Sequence, residues 1–433
     1  MKVNSQLHRA SLPVLALLAL CFAEATPSTP LRQSYAEQEF GAASPEAEPP
    51  GADTSPLAGL SPLVGQPQWQ VRTAGESVYT VARRSGVGTT AVFNANASSN
   101  VGDRLLIPTQ RIAPLPTAEG LVLNLPERVL YLYQGGQVTH WFPVGVGRRG
   151  WETPTGSFRV ANKRKNPTWF PPEWAAEEEP VPPGPHNPLG SRWLGLSAPG
   201  VGIHSTNKPS SVGGIVSHGC IRMYPEHAEA IFELVSVGTP VQIIYRTSAL
   251  GYDETRGRVF LVIHPDPYRR VPDRLAEVTA LLQSAGLDGL MDPATLAAEC
   301  RMTRGVPLPV LGSDIRIKRG SQVLPISPTP RGPELLVPAR RFGEALGLSV
   351  STSPVGATVV TGGRTVLIFT AGEREAWLDG VVQPLPVAPV RVANETLIPF
   401  YWTCAALGFS VGWHEPTRTA VVWGDGRLLG TPG

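Results

Sequence analysis

Cysteine is scarce in this 433-residue chain, which has only Cys21, Cys220, Cys300 and Cys404. So few cysteines exclude a disulfide-built scaffold, and the absence of Cys-x-x-Cys spacing removes the usual structural zinc arrangements. Charge is sparse as well. Charged residues make up 17% and the formal net charge is +2, too weak a field to expect a nucleic-acid partner. Long apolar runs are missing too. The run from Leu12 to Ala23 covers 12 residues, whereas a membrane-spanning helix needs roughly 20, so no stable membrane span is expected. What is abundant is glycine and proline, 45 of each, beside a hydrophobic fraction of 42% that can fill real cores. A chain of this length is expected to fold as about three domains.

Lys2, His8 and Arg9 precede the apolar run, and Ala23-Glu24-Ala25 follows it with small residues where a signal peptidase reads. Residues 1–25 therefore read as a signal peptide, and export to the periplasm or cell wall is expected. Cys21 follows the bulky Leu20, a poor context for lipid attachment. Residues 26–67, rich in Pro, Ala, Ser, Thr and Glu, read as a disordered spacer.

Residues 68–109 form a compact unit. A strand around Trp69–Val71 meets a Gly-Glu-Ser turn, and Ser77 can cap a helix bearing Val78, Val81 and Ala82 on one face. Gly86 ends that helix, a second follows from Thr89 or Thr90 with Val92 and Phe93 inward, and Leu105–Ile107 returns as a strand. This βααβ pattern, with GESVYTVARRSGV and VGDRLLIP, resembles a LysM domain. The resemblance implies glycan binding by the loops 75–78 and 97–101, with Gly75, Glu76, Ser77 and Asn100 as contact residues.

The chemistry lies in IHSTNKPSSVGGIVSHGCIRM, residues 203–223. A nucleophilic cysteine needs a base, a group that orients the base, and donors for the oxyanion. Cys220 would attack a carbonyl, His204 would hold the thiolate and pass its proton to the leaving amine, and Ser205 would steer the imidazole. The Gly219 and Cys220 amides could hold the oxyanion, and Arg222 suits a substrate carboxylate. His218 lines the cleft or is a structural neighbour. No fourth ligand accompanies His204, His218 and Cys220, so neither metal nor cofactor is expected. Pro225 opens a helix with Ala228, Ile231, Phe232 and Val235 inward, a position that modestly favours thiolate at Cys220. His227 reads as a solvated or locally bonded residue on that helix, and His264 as part of an exposed IHPDPY turn.

His204-Ser205 followed by Ser217-His218-Gly219-Cys220-Ile221-Arg222 resembles the L,D-transpeptidase catalytic domain of the YkuD type. LVLNLPERVLYLY, TPTGSF, NPTWFPP and NPLGSRWLGL stand upstream in the same order. The resemblance covers 118–247 and implies a β-rich sandwich with a short helix. It implies a thioester on Cys220, formed from a peptidoglycan tetrapeptide stem and resolved by a neighbouring amine into a cross-link between third residues. Ser217, Asn187 and Trp193 would join Arg222 in binding substrate. The Pro-rich stretch 166–188, with Trp169, Phe170 and Trp174, reads either as a lid or as an exposed stiffened loop. The rival functions are a wall cysteine hydrolase (L,D-carboxypeptidase or endopeptidase) and a non-catalytic wall-binding protein.

Residues 252–312 read as a connector with a strand (259–263), an amphipathic helix carrying Leu275, Val278 and Leu282, and a helix opened by Asp292-Pro293. From 313 to 426 the chain repeats itself. LLVPARRFGEALGLSV and TLIPFYWTCAALGFSV align at an offset of 61, Pro338 against Pro399. Each unit reads as strand, helix and Val-rich strand, an α+β repeat domain resembling the copper-amine-oxidase-like N-terminal domain. No copper is expected, because His414 is the one histidine after His264. Cys300 and Cys404 could pair in an oxidising compartment, leaving Cys220 free.

Overall fold

The structure, a computed structural model, describes residues 60–96, 104–115, 119–253, 256–392 and 394–424. The expected signal peptide, Cys21, most of the expected spacer, and the 97–101 loop with Asn100 lie outside the described residues. No helix among the described residues is long and apolar enough to cross a membrane.

The alternating stretch at 120–134 folds as the hairpin Gly120–Asn124 and Val129–Gln134. Leu121, Leu123, Leu130 and Leu132 face the main core of the domain, and Val122, Val129, Tyr131 and Tyr133 face the other way. That second face is buried too, because Ala113 and Val64 from the preceding segment cover it. The hairpin belongs to a nine-stranded sheet that curls back on itself. The long strand Gln137–Gly147 makes the closure. Its first half pairs with Val129–Gln134, and its second half with Ile221–Met223 and Ile215–Ser217. A strand that serves two layers in this way turns the corner of a sandwich. Helix Pro225–Leu234 packs Ala228, Ile231 and Phe232 on the same core.

Residues 68–107 form strand Gln68–Val71, helices Val78–Arg84 and Thr89–Ala95, and strand Arg104–Ile107, with the two strands antiparallel. The Ser77 hydroxyl caps the first helix by accepting from the Thr80 amide at 3.1 Å. Val78, Val81, Ala82 and Val92 enclose Leu105 and Ile107. Phe93 is 48% exposed, contrary to the expectation for it. One residue past Val92 the helix has rotated about 100°, so both side chains cannot share the inward face. This unit docks on the 118–247 domain through Arg83, whose guanidinium donates to both Glu226 carboxylate oxygens at 3.1 Å.

The strand and two helices expected in 252–312 are present, and the strand shares a sheet with the end of the expected spacer. Ser61–Val64 is a strand, parallel to Ser248–Asp253 and antiparallel to Arg111–Ile112. It completes a five-stranded sheet with Arg258–Ile263 and Leu308–Leu311. Chain from both sides of the 118–247 domain thus builds one layer, closed by helices Arg274–Ser284 and Pro293–Met302. Val278 and Leu282 are buried there, whereas Leu275 is exposed. His264, expected in an exposed turn, is 5% exposed. It directly follows an inner strand of this sheet, and its amide donates to the Thr247 carbonyl at 2.7 Å.

The C-terminal region contains two related units. Glu334–Pro338, Ala339–Leu346, Ser349–Thr352 and Thr358–Gly362 correspond to Glu395–Pro399, Phe400–Ala406, Ser410–His414 and Thr419–Trp423. Their first strands pair antiparallel, Val337 against Ile398. Each unit also caps the other's helix. The Glu334 carboxylate accepts from the Tyr401 amide at 2.8 Å, and that of Glu395 from the Arg340 amide at 3.3 Å. Cys300 and Cys404 both carry free thiols and sit in different cores, which explains why they do not pair.

Candidate active site

Three short segments meet at a cleft of about 730 Å³. Gly202–His204 runs parallel to Ile221–Met223, with Ile203 beside Ile221 and His204 beside Arg222. Strand side chains alternate, so the isoleucines enter the core while His204 and Arg222 share the opposite face. Cys220, two residues before Arg222, joins them in lining the cleft.

The turn that presents Cys220 is held at several points. Gly219 has φ +106°, a conformation that strongly favours glycine. The Ser217 hydroxyl donates to the Cys220 carbonyl, and the Thr153 hydroxyl donates to the Gly219 carbonyl at 2.9 Å. The Cys220 thiol faces the Gly200 carbonyl at 3.4 Å. Ser217, expected to bind substrate, is 2% exposed and its hydroxyl is already committed to this turn.

Burial pushes the Cys220 thiol above its ordinary value, against a backbone hydrogen bond at Gly202 and the charge of Arg222. The expected gain from the helix at Pro225 is outweighed. Burial pushes His204 down to about 4, and Arg222 lowers it further, against backbone hydrogen bonds at Ser205 and Leu189. Burial thus favours the neutral form of both groups, thiol and imidazole. The His204 Nδ1–H donates to the Ser205 carbonyl, which leaves Nε2 as the basic nitrogen. Orientation thus comes from the Ser205 backbone. Its hydroxyl, expected to steer the ring, is buried without a partner among the described residues.

Trp193 also lines the cleft, its ring centroid 5.9 Å from that of His204. Gly202 makes room for it, since a Cβ there would lie 2.3 Å from the indole. Asn187 behaves differently from expectation. It is fully buried, and its amide donates to the carbonyls of Pro167, Val181 and Pro182 while Oδ1 accepts from the Leu189 amide. It ties the base of the Pro-rich stretch and has no polar group left for substrate.

That stretch is an ordered arch, pinned by reciprocal 2.9 Å hydrogen bonds between Trp169 and Val181. Trp169, Phe170 and Trp174 line the cleft. The Trp174 ring stacks on His218 with centroids 3.8 Å apart, and Trp151 meets His218 edge-on at 5.1 Å. Arg148 donates to His218 Nε2 at 2.6 Å, so His218 is a wall residue tied to the arch. Of the two readings of His227, solvated or locally bonded, the structure gives a ring held between Phe142 and Tyr224. In the 68–107 unit the Glu76 carboxylate is engaged by Thr73 and Arg84, Ser77 is the helix cap, and Gly75 at φ +79° has open space around it.

Sequence reasoning missed two residues that brace this site. Thr153, in TPTGSF, is fully buried and links the Gly147 amide to the Gly219 carbonyl. Tyr268 follows the catalytic domain and reaches back into it, its hydroxyl donating to the Gly147 carbonyl at 2.9 Å. The TPTG element is a local signal for the first. No local signal points to the second.

Residues 118–243 match the L,D-transpeptidase catalytic domain family, and residues 319–422 the copper amine oxidase N-terminal domain family. The chain is 34% identical over 283 residues to the protein named "Probable L,D-transpeptidase YcfS" of Escherichia coli K12, covering 60% of this chain and 87% of that one. It is 35% identical over 226 residues to "Probable L,D-transpeptidase ErfK/SrfK" of Salmonella typhimurium, covering 47% and 71%. Against "Probable L,D-transpeptidase YbiS" of Escherichia coli K12 it is 40% identical over 154 residues, covering 33% and 50%.

Proposed function

This chain belongs to the L,D-transpeptidase family, and we propose that it is exported and joins third residues of peptidoglycan stems through a thioester on Cys220. The observation that supports this reading most is the shared face of Cys220, His204 and Arg222, open to an aromatic-walled cleft. Arg222 would hold a stem carboxylate and set the donor carbonyl over the thiol. As Cys220 sulfur bonds to the carbonyl carbon, its proton passes to His204 Nε2. The Cys220 and Gly219 amides would receive the developing oxyanion. Collapse breaks the amide C–N bond, and His204 returns the proton to the departing D-residue amine. The acceptor amine then adds to the thioester carbonyl and His204 takes its proton; the C–S bond breaks, and His204 returns that proton to the departing Cys220 sulfur.

The arch from 166 to 188 favours transfer over hydrolysis by narrowing access for water while admitting an extended stem. The βααβ unit would act as a LysM module that holds the glycan strand beside the cleft. The α+β repeat domain would serve wall association.

The test is incorporation of a labelled D-amino acid into purified stem tetrapeptide, which requires amine capture of the thioester. The wild-type chain is expected to exchange the label, and Cys220→Ala to lose more than about 1000-fold of that rate. Release of the terminal D-residue without exchange would establish a hydrolase instead.

A further inference from the structure

We propose that Thr153 and Tyr268 are positioning residues for acyl transfer, which together aim the Cys220 amide into the cleft. This rests on the reading of Cys220 as the nucleophile. A trans peptide is planar, with its C=O and N–H pointing in opposite directions. The Thr153 hydroxyl holds the Gly219 carbonyl at 2.9 Å, so it turns the N–H of the same peptide, that of Cys220, the other way. Gly219, at φ +106°, is conformationally free enough that its own backbone would not enforce this orientation. An outside clamp is therefore required.

Thr153 is itself locked. Its hydroxyl accepts from the Gly147 amide at 2.9 Å, and its own amide donates to the Tyr268 hydroxyl at 3.3 Å. That phenol donates in turn to the Gly147 carbonyl at 2.9 Å. Both polar backbone groups of Gly147 are thus taken by Thr153 and Tyr268. The 147–153 turn is too tight for any side chain at Gly147, where a Cβ would fall 2.1 Å from the Trp151 carbonyl oxygen. Tyr268 lies beyond the 118–243 match and is held by stacking on Tyr245, centroids 5.5 Å apart, and by its amide on the Tyr245 hydroxyl at 2.9 Å. Arg270 adds an ion pair to Glu152 at 2.6 Å. The segment after the catalytic domain is in this way part of the apparatus that orients the oxyanion donor.

Two thiol reagents separate orientation of the amide from exposure of the sulfur. With a carbapenem, sulfur adds to the ring carbonyl, an oxyanion forms, the C–N bond breaks and nitrogen takes the proton. With iodoacetamide, sulfur bonds to the methylene carbon, iodide departs with the C–I electron pair, and the thiol proton goes to solvent; no oxyanion forms. Both reactions of the full chain are followed by intact mass.

Thr153→Val is expected to slow carbapenem acylation by about 30- to 100-fold and Tyr268→Phe by about 10-fold, with Thr153→Ser within about threefold of wild type. Alkylation of Cys220 should stay within about twofold throughout, because no oxyanion donor is used. Acylation at the wild-type rate in Thr153→Val and Tyr268→Phe overturns the proposal, as does alkylation that falls in parallel with acylation. If Thr153→Val does not fold, Tyr268→Phe decides by the same criteria. A wild-type chain that is alkylated but never acylated rejects Cys220 as the acyl carrier, a failure distinct from that of the positioning role alone.

Discussion

Cys220 in the catalytic domain and Cys404 in the C-terminal domain are both pushed by burial above the usual thiol range. Around Cys220, the positive charge of Arg222 and a backbone hydrogen bond at Gly202 work against burial, and the sulfur borders a cleft of about 730 Å³. Around Cys404, the carboxylate of Glu334 adds to the rise, and Phe342, Phe400 and Leu407 share the same closed core. The same atom is prepared for attack in one place and made inert in the other. The difference lies in the sign of the neighbouring charge and in access, not in depth alone.

The sharpest way to break this comparison is to label the thiols of the folded chain. Iodoacetamide should modify Cys220 at least about 1000-fold faster than Cys404, whose exposure requires opening the core. Cys300, buried in a separate core, should follow Cys404. Peptide mapping after timed quenching reads this directly, and equal rates at Cys220 and Cys404 would refute the assignment of a single reactive thiol.

A second test compares buried histidines. His204 and His264 are each pushed down to about 4, chiefly by burial. Around His264 the charges of Arg111, Arg128 and Arg274 reinforce burial, while Glu127 opposes it. In the unfolded chain both histidines take up protons near pH 6.5. Their neutral burial therefore leaves stability intact above that pH and erodes it as pH falls from about 6.5 toward about 4. Denaturant titrations across this window should show a declining midpoint with a shallower slope in His264→Gln. Carbapenem acylation should hold across the same window and fall as His204 charges near pH 4, since a protonated imidazole cannot accept the thiol proton.

The smallest expected effects lie in the reciprocal caps. Glu334→Ala removes a buried carboxylate that accepts from the Leu335, Tyr401 and Trp402 amides, and should cost about 1–2 kcal/mol. Glu395→Ala loses two longer bonds, to the Arg340 and Thr396 amides, and should cost about 0.5 kcal/mol. Urea midpoints measure both, and acylation of Cys220 should be unchanged in each. A larger loss at Glu395 would show that the two units are not balanced as their geometry indicates.

What was legible in the sequence was local. The nucleophile turn lies within six residues, Ser217 to Arg222, and His204-Ser205 is close by in the chain. The helix faces at 78–84 and 225–234 follow from 3.6-residue spacing, and the C-terminal duplication from an offset of 61. What was not legible depends on partners far along the chain. Ser61–Val64 has no strand-like alternation of its own and becomes a strand because Ser248–Asp253 and Arg111–Ile112 flank it. His264 looks polar and exposed until the sheet closes over it. Asn187 resembles a substrate ligand until three carbonyls of one arch converge on its amide.

The sequence by itself therefore determined which sulfur and which imidazole could react, because a nucleophile, a flexible glycine and a base are coded close together. Only the tertiary structure decided that burial favours the neutral form of both, that a backbone carbonyl orients the imidazole, and that Tyr268 braces the turn from outside the catalytic domain. Charge state follows from burial and from charges brought near in space, and orientation follows from hydrogen bonds between distant segments. Neither is a property of neighbouring residues in the chain.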